Sequence, residues 1–253
     1  MIVEFIGCTG AGKTTVMREI LRQADTSMLA VTAWDVTLDR PVLRRLTNPS
    51  LRNIAADVTA FVPSLRARRA RKEFVSLARD RLRMHAPSTI ARLNYARSIN
   101  RRLGMHQLAV ESMADMTVFV DEGTVLIAYL LFVYSEGAYS QSDLERFAAL
   151  VPKPDVLVHV GAPVGVLMQR AKDRSDTRRE LAGLDDSAIR KSIERAVAVF
   201  DGLASTSSVG PITVRVDNQG DSAVDLQRVA AEVVSAIHRL DSAGRRPTPE
   251  KYS

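Results

Sequence analysis

The sequence predicts an α/β protein built on a doubly wound, five-stranded parallel sheet, and three observations predict it. Five short apolar runs are spaced along the chain, at residues 1–6, 29–33, 116–120, 156–160 and 212–216. Segments with apolar residues at helical spacing separate them, and strands alternating with helices close into parallel sheets. The first run passes through a glycine-rich turn, G-C-T-G-A-G-K-T-T at residues 7–15, straight into a helical segment.

In chain order, Ile2, Val3, Phe5 and Ile6 suit a buried strand, and Val16, Ile20 and Leu21 follow at helical spacing. The second run ends in Trp34-Asp35. Pro41 and Pro49 punctuate the next stretch, in which 42–46 and 51–61 lean helical. Pro63 precedes a basic segment where Leu65, Phe74, Ala78 and Leu82 give a partial apolar stripe. Pro87 and Gly104 read as helix ends, which sets 88–103 apart as its own helix; residues 36–112 are expected to be helical with no strand. Met-Thr-Val-Phe-Val at 116–120 makes a buried strand closed by Asp121-Glu122-Gly123. A helix over 124–134, a polar loop over 135–142 and a helix over 143–150 come next.

Pro152 and Pro154 introduce the strand at 156–160, and Pro163 suits the first turn of a helix reaching Ala171. Residues 172–180 are charged and aperiodic, which reads as a mobile loop. Ile189, Ile193, Val197, Phe200 and Leu203 define another helix, ended by Gly210-Pro211 before the fifth strand. Ser222-x-x-Asp225 is a capping-box start for a last helix with Leu226, Val229, Val233, Ile237 and Leu240 on one face. Residues 241–253 are polar and proline-bearing, the composition of a disordered tail. The expectation is a single domain over 1–240, with a basic helical region at 36–112.

Residues 7–14 match G-x-x-x-x-G-K-[ST], and a strand before and a helix after are the context that motif needs. Gly7, Gly10 and Gly12 permit positive φ and close approach of a ligand to the backbone. The amides along Gly7, Cys8, Thr9, Gly10, Ala11, Gly12, Lys13, Thr14 and Thr15, with the free donors of the helix start, form a concave surface suited to polyphosphate. Lys13 can reach the β- and γ-phosphates of a nucleoside triphosphate, and the Thr14 hydroxyl can ligate Mg²⁺.

Composition bounds the rest. At 46% hydrophobic and 25% charged, the chain is an ordinary globular one that can bury a sizeable core. No charged leader followed by an apolar stretch is evident, and the longest apolar run is too short for a bilayer; a cytoplasmic protein is expected. The single cysteine, Cys8, excludes an internal disulfide framework and fills a permissive position of the glycine loop, although a helix N-terminus favours its thiolate. The net charge of +6 is concentrated: twelve Lys and Arg lie between residues 64 and 106, opposed by Glu73 and Asp80. That field favours an anionic partner, or is a solvated helical face.

In doubly wound sheets ligands bind outside the carboxyl ends of the strands. The glycine loop, Asp35, Asp121-Glu122 and the loop after Asp217 should therefore share one rim. Asp121, ending an apolar strand, stands where it can hold Mg²⁺ opposite Thr14, or cap the following helix. Glu122 can act as base, metal contact or substrate contact. Asp35 is the other candidate base, for the proton of an acceptor hydroxyl, against the common role of a loop aspartate as a turn or helix cap. Asp39 and Arg40 are weaker choices. Arg170-x-x-x-Arg174, followed by Arg178-Arg179, is a charge cluster suited to a phosphoryl transition state, and 170–180 reads as an arginine-bearing lid.

The chain resembles the thymidylate kinase and deoxynucleoside kinase group of P-loop kinases. The residues that carry the resemblance are those of the glycine loop, Asp121-Glu122-Gly123, and Pro154-Asp155-Val-Leu-Val-His-Val-Gly161 leading into Arg170-x-x-x-Arg174. It implies a strand order of 2-3-1-4-5 and a lid in which Arg170 or Arg174 contacts the transferred group. It also implies that the loop at Asn218 packs on adenine. Two departures stand out: Asp121-Glu122 replaces an acid–arginine pair, and the central helices are longer and more basic. The reading that results is an ATP- and Mg²⁺-dependent kinase of a small, anionic or nucleoside-like acceptor, bound near Tyr139, with a homodimer in keeping with the resemblance. A kinase of polynucleotide ends and a P-loop NTPase switch are the alternatives.

Overall fold

The computed structural model describes residues 1–23, 30–38, 48–112, 116–135, 137–173, 185–220 and 223–242. Five parallel strands form one sheet in the order β2-β3-β1-β4-β5: β1 Ile2–Ile6, β2 Ala30–Thr32, β3 Thr117–Val120, β4 Val156–Gly161 and β5 Thr213–Asp217. β1 lies at the centre, with Val3 opposite Phe119 on one side and Val156 on the other. Nearly continuous apolar strands are what a sheet covered on both faces requires, and all of β1 and β3 is buried.

Nine α-helices surround the sheet among the described residues. They are α1 Lys13–Gln23, α2 Ala33–Thr37, α3 Pro49–Ala70, α4 Lys72–His85, α5 Thr89–Ser112, α6 Gln141–Leu150, α7 Val164–Lys172, α8 Asp186–Ala204 and α9 Ala223–Ser242. The larger core joins Val3, Phe5 and Phe119 to α1, α4, α6, α8 and α9. A smaller one joins Ile2, Val118 and Val120 to Ala60 of α3 and Met105 and Ala109 of α5. The alternation of β1 thus points Ile2 and Val3 into different layers, as a doubly wound sheet demands.

Two expected punctuation marks do not interrupt their helices. α3 runs through Pro63, and α5 runs through Gly104 to Ser112. A methyl group at Gly104 would overlap the Ala60 carbonyl and side chain, so this glycine is where α5 and α3 pack backbone to backbone. Asp35 does not sit in a loop after β2. It is the third residue of α2, where its Oδ2 accepts from the Thr32 amide (3.0 Å) and hydroxyl (2.6 Å) while Thr32 accepts from the Asp35 amide, a complete capping box. The helical stretch after Glu122 closes with a wider turn, Tyr129–Val133, in which the Tyr134 amide donates to the Tyr129 carbonyl (3.0 Å). Residues 42–46, Asp39, Arg40, Arg174, Arg178, Arg179, Ser222 and the tail from 243 lie outside the described residues.

Candidate active site

The glycine loop links β1 to α1 at the carboxyl edge of the sheet. Gly7, Gly10 and Gly12 have φ of 140, 85 and 87°, a region that side-chain-bearing residues rarely adopt. Space imposes the same choice: a methyl at Gly7 would overlap the Val160 carbonyl, and one at Gly12 the Asn218 amide. The loop is held from below by β4 and from the side by the segment after β5. Asn218 is buried; its amide donates to the Gly161 carbonyl (2.9 Å) and its side chain to the Ala11 carbonyl (2.9 Å). The Lys13 ammonium donates to the carbonyls of Gly7 (2.8 Å) and Cys8 (2.9 Å), so it lies across the loop's own concavity. Cys8 is buried, its thiol 4.0 Å from the Ile193 carbonyl, in a packing role. Thr9 meets the Tyr129 hydroxyl at 3.3 Å.

β3 delivers Asp121 to this loop. The Thr14 hydroxyl donates to Asp121 Oδ2 at 3.3 Å, which joins the two residues expected to hold a metal. Burial, then the neighbouring Glu122 charge, raises the Asp121 carboxyl above its ordinary value, while Thr14 and Lys13 pull the other way. A cation relieves both causes. The donors fit Mg²⁺, which ordinarily takes one or two protein oxygens and completes its shell with phosphate oxygens and water. Among the described residues no cluster of three His, Cys, Asp or Glu side chains offers a denser cation site.

Behind the 121–123 turn lies a buried charge pair that the strand pattern concealed. Glu4, in the middle of β1, is 1% exposed; its Oε1 accepts from the Leu126 amide (3.0 Å) and its Oε2 from the Thr124 hydroxyl (3.3 Å). Burial lifts its carboxyl to about 7, against those hydrogen bonds and the Arg102 charge. Arg102, on α5 and 6% exposed, donates to the Leu126 carbonyl (3.4 Å) and sits 3.6 Å from Glu122 Oε2. An arginine therefore stands beside the turn after all, contributed by the helical region instead of by position 122. A lone acid inside an apolar strand was the one available signal for Glu4. For Arg102 it was the i, i+3 spacing to Met105 on the sheet-facing side of α5.

The remaining expected residues are dispersed around this centre. Arg170, near the end of α7, donates to the carbonyls of Gly10 (3.3 Å), Asn218 (3.2 Å) and Gly220 (3.0 Å), bracing the glycine loop against the loop after β5. Thr15 is exposed on the first turn of α1. Asp35 lies at the carboxyl end of β2, engaged in its cap. The Arg195 guanidinium packs over the Tyr139 ring, 5.3 Å from its centre. Of the basic field, Arg66 pairs with Glu111, Arg97 and Arg101 with Asp57, and Arg81 reaches Asp143 and the Leu131 and Ala138 carbonyls.

The glycine loop between β1 and α1 is a P-loop in its strand–loop–helix setting, and the parallel order 2-3-1-4-5 is the one the resemblance to P-loop kinases implied. Nothing in that arrangement singles out thymidylate kinases. No protein-family model matches the chain, and no curated protein matches it. Among solved structures, a shikimate kinase from Acinetobacter baumannii in complex with shikimate aligns with 94% of this chain and 93% of its own, at 13% identity and a TM-score of 0.40. A shikimate kinase from Bacteroides thetaiotaomicron aligns over 94% and 98%, at 11% identity and a TM-score of 0.44. Likeness at that level carries nothing about substrate. No helix among the described residues is long and apolar enough to cross a membrane.

Proposed function

We propose that the protein is a phosphotransferase that uses a nucleoside triphosphate, ATP in the first instance, to phosphorylate a small-molecule acceptor. The observation that carries this reading is the meeting of Lys13, Thr14 and Asp121 around a loop whose three glycines have positive φ. The loop amides bind and orient the β- and γ-phosphates, and Lys13 exchanges its loop carbonyls for phosphate oxygens. Thr14 and Asp121 would hold Mg²⁺, which when bound neutralises the charge developing on the transferred group. Arg170 braces the loop and offers a guanidinium plane next to Asn218, where the base of the nucleotide would stack. Arg174, on the segment expected as the lid, is assigned to the transferred phosphoryl group.

The acceptor is assigned to the rim between β2, β3 and α5, where Asp35 and Glu122 are the two bases within the proposed site. The Asp35 cap uses Oδ2, which leaves Oδ1 for an acceptor hydroxyl. Arg102, 3.6 Å from Glu122 Oε2, aligns that carboxylate. At least six of the twelve arginines and lysines of the basic field are paired within the chain or to backbone carbonyls, namely Arg66, Arg79, Arg81, Arg97, Arg101 and Arg102, which favours a compact acceptor over a polynucleotide. The test is phosphate transfer from Mg-ATP to a panel of hydroxy acids, sugars, nucleosides and nucleotides, with Lys13→Met as control. Transfer to one class, reduced on the order of 10²–10³-fold in the variant, is expected. Transfer to none, or transfer undiminished in the variant, overturns the reading.

A further inference from the structure

α3 is apolar on two opposite faces. One is buried, with Ala56, Ala60, Ser64 and Ala67 turned inward, Ala60 directly opposite Gly104 of α5. The other presents Leu51, Ile54, Val58, Phe61 and Val62, exposed by 51, 52, 70, 60 and 54%. Single exposed apolar residues are normal, but a continuous row of large ones marks an interaction face. Positions 51, 54, 58, 61 and the half-buried Leu65 follow the 3-4-3-4 spacing of a coiled-coil seam.

We propose that this row is the self-association surface of the chain, where α3 of a second copy crosses it antiparallel about a two-fold axis at Val58. A two-fold contact requires a self-complementary patch, and the row is close to palindromic about that residue. Inversion sets Leu51 of one copy against Leu65 of the other, Ile54 against Val62, and Val58 against itself. Charge agrees. The chain carries +6 overall, yet along the middle of the row the bordering charges have partners in the same chain: Asp57 with Arg97 and Arg101, Arg66 with Glu111, and Arg52 over the Trp34 ring. The exposed Arg68 and Arg69 lie past Leu65, and inversion about Val58 carries those of the two copies to opposite ends of the contact, so the copies meet with little like-charge repulsion. Area agrees as well. The five side chains expose roughly 500 Å² of apolar surface, about what a standard patch of ~800 Å² per partner contains when ~65% of it is apolar.

The proposal is independent of the catalytic reading. Sedimentation equilibrium of the full chain, from about 1 to 100 μM, is expected to give twice the 27.8 kDa chain mass at the upper concentrations. Val58→Asp is expected to give 27.8 kDa throughout with an unchanged circular dichroism spectrum, since Val58 is mostly solvent-facing. Val58→Cys should oxidise to a cross-linked dimer, and Val224→Cys, on the similarly exposed start of α9, should not. A wild type monomeric at every concentration overturns the proposal, as does a Val58→Asp protein that remains dimeric. A monomeric wild type that binds anionic vesicles through the same row overturns it in favour of a lipid surface.

Discussion

Glu4 places a carboxyl at the centre of the sheet, where an apolar residue would pack with less difficulty. Its partners explain its presence: the Leu126 amide and the Thr124 hydroxyl fix the segment that follows Asp121, and Thr124 also donates to the Pro152 carbonyl (2.6 Å). Burial lifts the folded-state value to about 7 from the ordinary 4.5, so the folded protein keeps a proton that the unfolded chain has lost. The associated stability is complete below about pH 4.5 and declines as pH rises to 7, by an amount on the order of 3 kcal/mol. Glu4→Gln keeps the acceptor toward Leu126 and can donate to Thr124. It should flatten the fall in urea midpoint between pH 5 and 8, which chemical denaturation at several pH values would measure. An unchanged slope would show that Glu4 is not the titrating group.

Such residues are also where sequence reading reaches its limit. The glycine loop is legible because its backbone geometry admits few side chains, and Asp121 because it closes an apolar run. Glu4 is not, because its partners lie more than a hundred positions away and the surrounding strand is otherwise apolar. Asp35 is a case of competing local rules. Thr32-x-x-Asp35 is itself a capping-box pattern, and the cap formed in α2. The geometry of Arg170 belongs to tertiary structure alone, since the three carbonyls it binds come from two distant loops.

At the scale of elements, the five strands were readable from their apolar runs and the helical region from its periodicity, but helix ends inside that region were not. Pro63 and Gly104 are strong local breakers that tertiary packing overrides. Loss of one hydrogen bond at Pro63 is tolerated in a helix anchored along its length to α5, and Gly104 exists for that contact. Gly104→Ala places a methyl on the Ala60 carbonyl, so α3 must shift against α5. The expected outcome is destabilisation by about 1–3 kcal/mol despite the better helix propensity of alanine. A thermal unfolding midpoint equal to wild type would refute the close contact. Because Arg102 lies two residues before Gly104, the same shift should raise the KM for the acceptor more than it lowers kcat.

Across the whole molecule, the sheet gathers its chemistry on one edge. Strand order 2-3-1-4-5 sets β3 beside β1, so Asp121 faces the loop that β1 feeds, and β4 and β5 supply the carbonyl and asparagine contacts that hold that loop open. The basic helices, much of whose charge is satisfied internally, form a wall beside the rim to which the proposal assigns the acceptor. The account stands on the glycine loop being a polyphosphate site, and isothermal titration of the full chain with Mg-ATP addresses that directly. It predicts one binding event per chain with a dissociation constant on the order of micromolar, weakened at least about tenfold by Lys13→Met. Absence of binding heat at several temperatures, or equal affinity in the variant, would contradict it.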